Sequence, residues 1–255
     1  MTEMLQPYEV IGAEDNVPLL FVVDHASAFV PKKYDNLGLP ANVFATHVAI
    51  DIGAKQMAEG LVKRLGGRAV LAKFSRLLID PNRELWRDNL VPDISDGIPI
   101  PRNANLSEIQ KQERIENFYN PFHQAVDDEV QSFFAKGLRP LVVGVHSFTP
   151  EMGGEKRPWH IGFMWNKDDR LGLSLAKDFE AMGKTVGHNL PYGGDDLFHT
   201  MMSHGFKHGL PHTQIEVRQD LVGDAAGADH WAELIAAALA KYVKNPQVLG
   251  SFEIE

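Results

Sequence analysis

The sequence predicts a three-layer α/β/α fold around a mixed, mostly parallel sheet, and two observations carry that prediction. Short apolar runs rich in β-branched residues alternate with longer amphipathic stretches, the order that places helices on both faces of a sheet. The 255 residues contain no internal repeat, low-complexity tract or Pro/Gly-rich linker, so a single domain over 1–255 is expected.

Taken in order, residues 19–23, 69–74, 77–79, 141–145, 160–165 and 213–217 read as strands, mostly buried ones, with 185–188 as a further candidate. Residues 45–65, 107–134, 169–182 and 229–243 read as helices. Asn105 or Ser107 can cap the start of the second helix, and Pro121 should kink or split it because proline lacks the backbone donor. Between Asn82 and Pro101, Pro92 and Pro99 help mark a long loop, of the length that is often functional. In a sheet of this kind, functional side chains are expected at the carboxyl ends of strands, where loops open into a crevice.

Composition narrows the chemistry. There is no cysteine, which excludes a thiol nucleophile, an iron–sulfur cluster and disulfide staples; a transition-metal site must draw on carboxylates and the 11 histidines. The net charge of −9 comes without a basic stripe, which argues against nucleic acid as a partner. Residues 1–16 carry Glu3, Glu9, Glu14 and Asp15 and no long apolar run, so neither a signal peptide nor a membrane anchor is expected there. No later segment approaches the roughly 18 apolar residues of a membrane span. A cytoplasmic location is the expectation.

Four segments carry candidate chemistry. His25, in Asp24-His25-Ala26-Ser27, follows one apolar strand, and His146, in Gly144-Val145-His146-Ser147-Phe148, follows another. Two imidazoles in equivalent positions suit a metal site, which a carboxylate would complete; either histidine could equally be a hydrogen-bonded structural residue. In Ser75-Arg76-Leu77-Leu78-Ile79-Asp80-Pro81-Asn82-Arg83, two arginines bracket an apolar stretch and a turn. An arginine fork matches a carboxylate, though an ion pair between Asp80 and an arginine could instead brace the loop. In Gln214-Ile215-Glu216-Val217-Arg218, alternation puts Gln214, Glu216 and Arg218 on one face of a strand. A buried carboxylate there must be paired, for instance with Arg218, or used; burial would raise its pKa towards that of a general base.

In this order the segments resemble the N-formylglutamate amidohydrolase family. The Ser-Arg-x-x-x-Asp-x-Asn-Arg piece carries most of the resemblance, supported by His146-Ser147, by Ile215-Glu216-x-Arg218 and by the loop Asn189-Leu190-Pro191-Tyr192-Gly193-Gly194. The similarity spans about residues 20–222, and the same motifs echo the wider zinc carboxypeptidase-like group, whose zinc exopeptidase-like, phosphorylase/hydrolase-like fold it implies. The resemblance further implies one Zn²⁺ per chain on His25 and His146, and Glu216 as catalytic base. Arg76 would lie near the scissile carbonyl, and Asn82 and Arg83, with Arg218, would hold the substrate carboxylate. The implied reaction is removal of an N-acyl group from a small amino acid such as glutamate.

Two departures stand out. Zinc carboxypeptidases read His-x-x-Glu at their first two ligands, but the residue three after His25 is Ala28. Asp51, which resembles an Asp of the formylglutamate family's own pattern, is the expected third ligand, with His47 one turn earlier competing. Better-known members read Pro-His-x-Gly where this chain has Asp24-His25-Ala26-Ser27. Alternatives are therefore a zinc hydrolase of another N-acyl amino acid or of a peptide carboxyl terminus, or a non-catalytic carboxylate-binding protein. His199, His204, His208 and His212 tempt a metal reading, but Gly205, Gly209 and Pro211 argue against one helix. They are expected to be loop histidines, with His199 or His204 near substrate.

Overall fold

The computed structural model of the chain describes residues 6–13, 16–193, 198–245, 248 and 250. Seven strands form one sheet: β1 (Tyr8–Ile11), β2 (Leu19–Val23), β3 (Arg68–Ala72), β4 (Leu141–Phe148), β5 (Ile161–Met164), β6 (Val186–His188) and β7 (His212–Arg218). Their spatial order is β1-β3-β2-β4-β7-β5-β6. The four central strands β3, β2, β4 and β7 run parallel. At the edges, β1 lies antiparallel on β3, and β5 antiparallel on β7 with β6 parallel to it. This is the mixed, mostly parallel α/β sheet that the alternating pattern predicts.

Strand β2 shows why the molecule has three layers. All five of its residues are buried, as a strand covered on both faces requires. Leu19, Phe21 and Val23 point into a core shared with α1 (Ala54–Leu65), α4 (Gly172–Ala181) and α6 (Ala225–Leu239). Leu20 and Val22 point into the opposite core, against α3 (Asn120–Ala135) and Met201 of α5 (His199–His204). Among the described residues no helix is long and apolar enough to cross a membrane.

Several expectations are corrected. Residues 77–79 are buried but form a turn rather than a strand, because their backbone bonds locally: the Leu78 N–H donates to the Ser75 carbonyl and the Leu77 N–H to Ser75 Oγ. The helix expected over 45–65 begins only at Ala54, after a 3₁₀ turn at Ala41–Ala45. Gly53 sets that start: its φ is +82°, and a Cβ there would lie 2.3 Å from the Val222 carbonyl oxygen. Ser107 does cap its helix, in a reciprocal box with Gln110. Pro121 does not break the helix. Glu108–Arg114 (α2) passes through a π turn at Ile115–Tyr119 into α3, the Asn120 N–H bonding the Ile115 carbonyl five residues back. The missing proline donor thus falls where the ladder has already shifted register. Residues 199–204, expected as loop, make one short helix that ends at Gly205.

Candidate active site

The adjacent parallel strands β2, β4 and β7 end on the same side of the sheet, and their last residues build one cleft. His25 leaves β2 one residue after Asp24, His146 lies in β4, and Glu216 is its register partner in β7. Asp51 enters from the turn before α1, its N–H bonded to the His25 carbonyl at 3.1 Å. The loop 76–83 closes another side. The cleft holds about 230 Å³, smaller than the roughly 300–1,000 Å³ of sites for drug-sized ligands, which suits a small substrate.

At its base two imidazoles converge on one carboxylate oxygen. Asp51 Oδ2 lies 3.2 Å from His25 Nδ1 and 2.8 Å from His146 Nδ1. The other nitrogens are taken: His25 Nε2 is 2.8 Å from Asp80 Oδ1, and His146 Nε2 is 3.1 Å from Asp24 Oδ2. A carboxylate at Nε2 leaves Nδ1 free to ligate, the arrangement that supports metal-binding histidines. One ligand atom from each of His25, Asp51 and His146 can be chosen so that all lie within 4.8 Å of one another. Tetrahedral zinc with ~2.0–2.1 Å bonds has ligand–ligand edges of ~3.4 Å, close to the two distances from Asp51 Oδ2. The donor set therefore fits a zinc-type ion.

Electrostatics agrees with this layout. Burial opposes charge on Asp24, Asp51 and Asp80, yet His25, His146 and, for Asp80, Arg76 hold all three below the usual carboxylate range. Glu216 goes the other way. Burial, with Asp51 nearby, pushes its carboxyl up to about 7. Gln214 donates to Glu216 Oε1 at 2.8 Å, while the buried Oε2 has no hydrogen-bond partner among the described residues. A buried acceptor left open beside a metal-type cluster is placed to handle a proton.

The arginine segment divides its work. Arg76 bonds Asp51 Oδ1 at 3.3 Å and Asp80 Oδ2 at 3.0 Å and still faces the cleft. Arg83 also lines the cleft; its Nη1 donates to the Asn82 carbonyl at 3.3 Å, its Nη2 lies 3.9 Å from Asp80 Oδ2, and its buried Nε has no hydrogen-bond partner among the described residues. Asn82 is fixed between Gln214 Oε1, 3.3 Å from its Nδ2, and the Thr200 N–H, 3.1 Å from its Oδ1.

Of the residues singled out from sequence, His25, Asp51, His146, Glu216, Arg76, Asn82 and Arg83 come together here. His47 lines the rim but is held by Asp96 at 3.0 Å, apart from the Asp51 cluster. Arg218 is the correction. Its guanidinium turns to Asp220, 2.7 Å from Nε, and to the carbonyls of Arg157, Pro158 and Trp159, and it does not line the cleft. Of the loop 189–194, Tyr192 reaches the cleft and meets Arg157 at 3.2 Å, while Gly194 lies outside the described residues. Gly162 makes room for that loop, since a Cβ there would sit 1.9 Å from the Leu190 carbonyl oxygen. The long loops 82–101 and 150–158 contribute Ser95, Asp96 and Met152, carried on two short hairpins. Sequence reading missed the roles of Asp24 and Thr200, which bond each other at 2.7 Å behind His146; the one available signal was that Asp24 stands at the end of a buried strand.

A model of the N-formylglutamate amidohydrolase family matches residues 17–223, and the chain belongs to this family of hydrolases. The crystal structure of a gene product from Agrobacterium tumefaciens is similar, with a TM-score of 0.91 at 33% identity over 94% of this chain and 96% of that one. The crystal structure of N-formylglutamate amidohydrolase from Ralstonia eutropha shares the fold, with a TM-score of 0.64 at 21% identity over 94% of this chain and 99% of that one. A search of curated protein sequences gives no significant match.

Proposed function

We propose that this chain is a zinc-dependent amidohydrolase that removes an N-acyl group of the N-formyl type from a small amino acid such as glutamate. The observation that carries this reading is the meeting of two carboxylate-backed histidines and Asp51 with a buried glutamate whose outer oxygen is free. Membership of the family and the activity named for the Ralstonia eutropha protein agree with it.

His25, Asp51 and His146 would hold one ion per chain. Bound there, Zn²⁺ supplies Lewis acidity and lowers the pKa of water from about 15.7 towards about 7. Glu216 accepts the proton of the attacking water at Oε2 and passes it to the leaving nitrogen. Burial raises its carboxyl above the usual range, in the direction that suits a general base. Arg83 and Asn82 bind the amino acid's carboxylate, a task matched by the unpaired Nε of Arg83. Arg76, braced by Asp51 and Asp80, offers positive charge to the carbonyl oxygen as it gains charge, a contribution of about 2.7–4 kcal/mol where a donor is well placed.

The direct test is hydrolysis of N-formyl-L-glutamate by the zinc-loaded protein, with Glu216→Gln alongside. Wild type should release formate, and the variant should bind zinc normally while kcat falls by about 10²–10⁴. A variant that turns over like wild type would remove Glu216 from the role of base.

A further inference from the structure

Four histidine and tyrosine side chains behind the cleft have no part in the chemistry above, yet all of them lead to the loop that carries Asn82 and Arg83. Tyr119 Oη donates to the Arg83 carbonyl at 2.9 Å, and His123 Nε2 donates to the Pro81 carbonyl at 2.9 Å. These carbonyls stand on either side of Asn82. The two donors are four residues apart, on one face of the helix that runs through the π turn into α3, and such register shifts are common at functional sites.

We infer that Tyr119 and His123 are positioning residues of the carboxylate-binding loop, gripping its backbone on both sides of Asn82 so that Asn82 and Arg83 keep their aim into the cleft. This rests on the reading that those two residues receive the substrate carboxylate.

A second tier fixes the two donors themselves. His199 Nε2 lies 2.7 Å from Tyr119 Oη, and His204 Nε2 lies 2.8 Å from His123 Nδ1. His204 Nδ1 is in turn 2.8 Å from Asp127 Oδ1. The protons can be assigned from the acceptors. A carbonyl only accepts, so Tyr119 spends its proton on Arg83 and receives one from His199. His123 likewise carries its proton on Nε2, and its Nδ1 accepts from His204. Burial raises the Asp127 carboxyl, but its bond to His204 and the charge of Lys207 hold it below the usual range, and it anchors the far side of the His204 ring. Burial, reinforced by His204 and His199, pushes the His123 imidazole down to about 3, which keeps its Nδ1 an acceptor. α5 closes the frame through the Thr200 N–H on Asn82 Oδ1.

The grip matters because Arg83 has little else to orient it. Its nearest carboxylate contact is at 3.9 Å and its Nε is unpaired. The direction of its fork therefore follows the backbone, and a fork turned off its aim loses a charge-assisted bond to the substrate carboxylate, which weakens binding.

The experiment uses the zinc-loaded full chain and the variants Tyr119→Phe, His123→Leu and His123→Gln. KM and kcat are measured on N-formyl-L-glutamate, Kd on L-glutamate by calorimetry, and zinc by elemental analysis. His123→Leu should raise KM and Kd about tenfold, with kcat and zinc content close to wild type. His123→Gln, whose amide nitrogen can replace Nε2 as the donor to Pro81, should recover most of that loss, and Tyr119→Phe should raise KM and Kd several-fold. If wild type hydrolyses nothing but binds L-glutamate, the proposed reaction fails while Kd still reports on the grip. Unchanged KM and Kd in His123→Leu, a loss confined to kcat or zinc, or no recovery in His123→Gln would overturn the inference. Should His123→Leu not fold, Tyr119→Phe, which deletes a single oxygen, decides the same question by its Kd.

Discussion

At His25 and His146 the decisive contact is the one on the far side of each ring. Asp80 and Asp24 accept from the two Nε2 atoms, and this is what directs both Nδ1 atoms at Asp51. Second-layer carboxylates of this kind are typically worth about 10–100-fold in metal affinity. Asp80→Ala should therefore weaken zinc binding by that order in a chelator competition, and an unchanged affinity would mean that Asp80 serves only Arg76. The cleft positions of His25, His146 and Glu216 were legible in the sequence because strand ends and period-2 alternation place them without knowledge of distant contacts. Asp24 and Asp80 were not legible as partners, since each meets its histidine across 122 and 55 residues of chain. Arg218 misled for a related reason: alternation gave its face, but the last residue of β7 can swing its long side chain to Asp220.

Two elements around the site, the π turn and α5, depart from regular helix geometry or length. The π turn at Ile115–Tyr119 absorbs Pro121 and delivers Tyr119 and His123 to one loop, whereas proline rules alone predict a kink. The short helix α5 was hidden because Gly205 and Gly209 crowd its end, yet six residues suffice to place Thr200 against Asn82 and Asp24. A stability prediction belongs at this scale. His123 has a folded pKa of about 3 against about 6.5 when unfolded. Below pH 6.5 the unfolded chain binds a proton there that the folded chain does not, so this group's contribution to stability is intact above pH 6.5 and is lost as pH falls towards 3. In urea titrations of the metal-free protein, the His123→Gln variant, which lacks the ionisation, should lose less stability than wild type between pH 6.5 and 4. Parallel pH profiles for the two proteins would contradict the assignment.

For the molecule as a whole, topology explains why residues from positions 24 to 216 share one cleft. Strands β2, β4 and β7 are neighbours and parallel, so their carboxyl ends meet on one side, as ligand sites in open α/β sheets do. This much was legible, because buried β-branched runs and amphipathic helices alternate along the chain; β1 was not, since an edge strand of four residues, none of them fully buried, leaves little apolar signal. The rim of the cleft was illegible for another reason: the hairpins bearing Asp96 and Met152 lie in loops whose course depends on tertiary contacts. What the fold gathers at the base of that cleft is His25, Asp51 and His146, the proposed ligands of one ion. The measurement that tests this most directly is the zinc content of the purified, reconstituted protein beside His25→Ala, Asp51→Ala, His146→Ala and His47→Ala. About one zinc per chain is expected in wild type and in His47→Ala, and loss of it in the other three. Wild-type protein that takes up no zinc, or any of those three variants retaining it in full, would rule out His25, Asp51 and His146 as its ligand set.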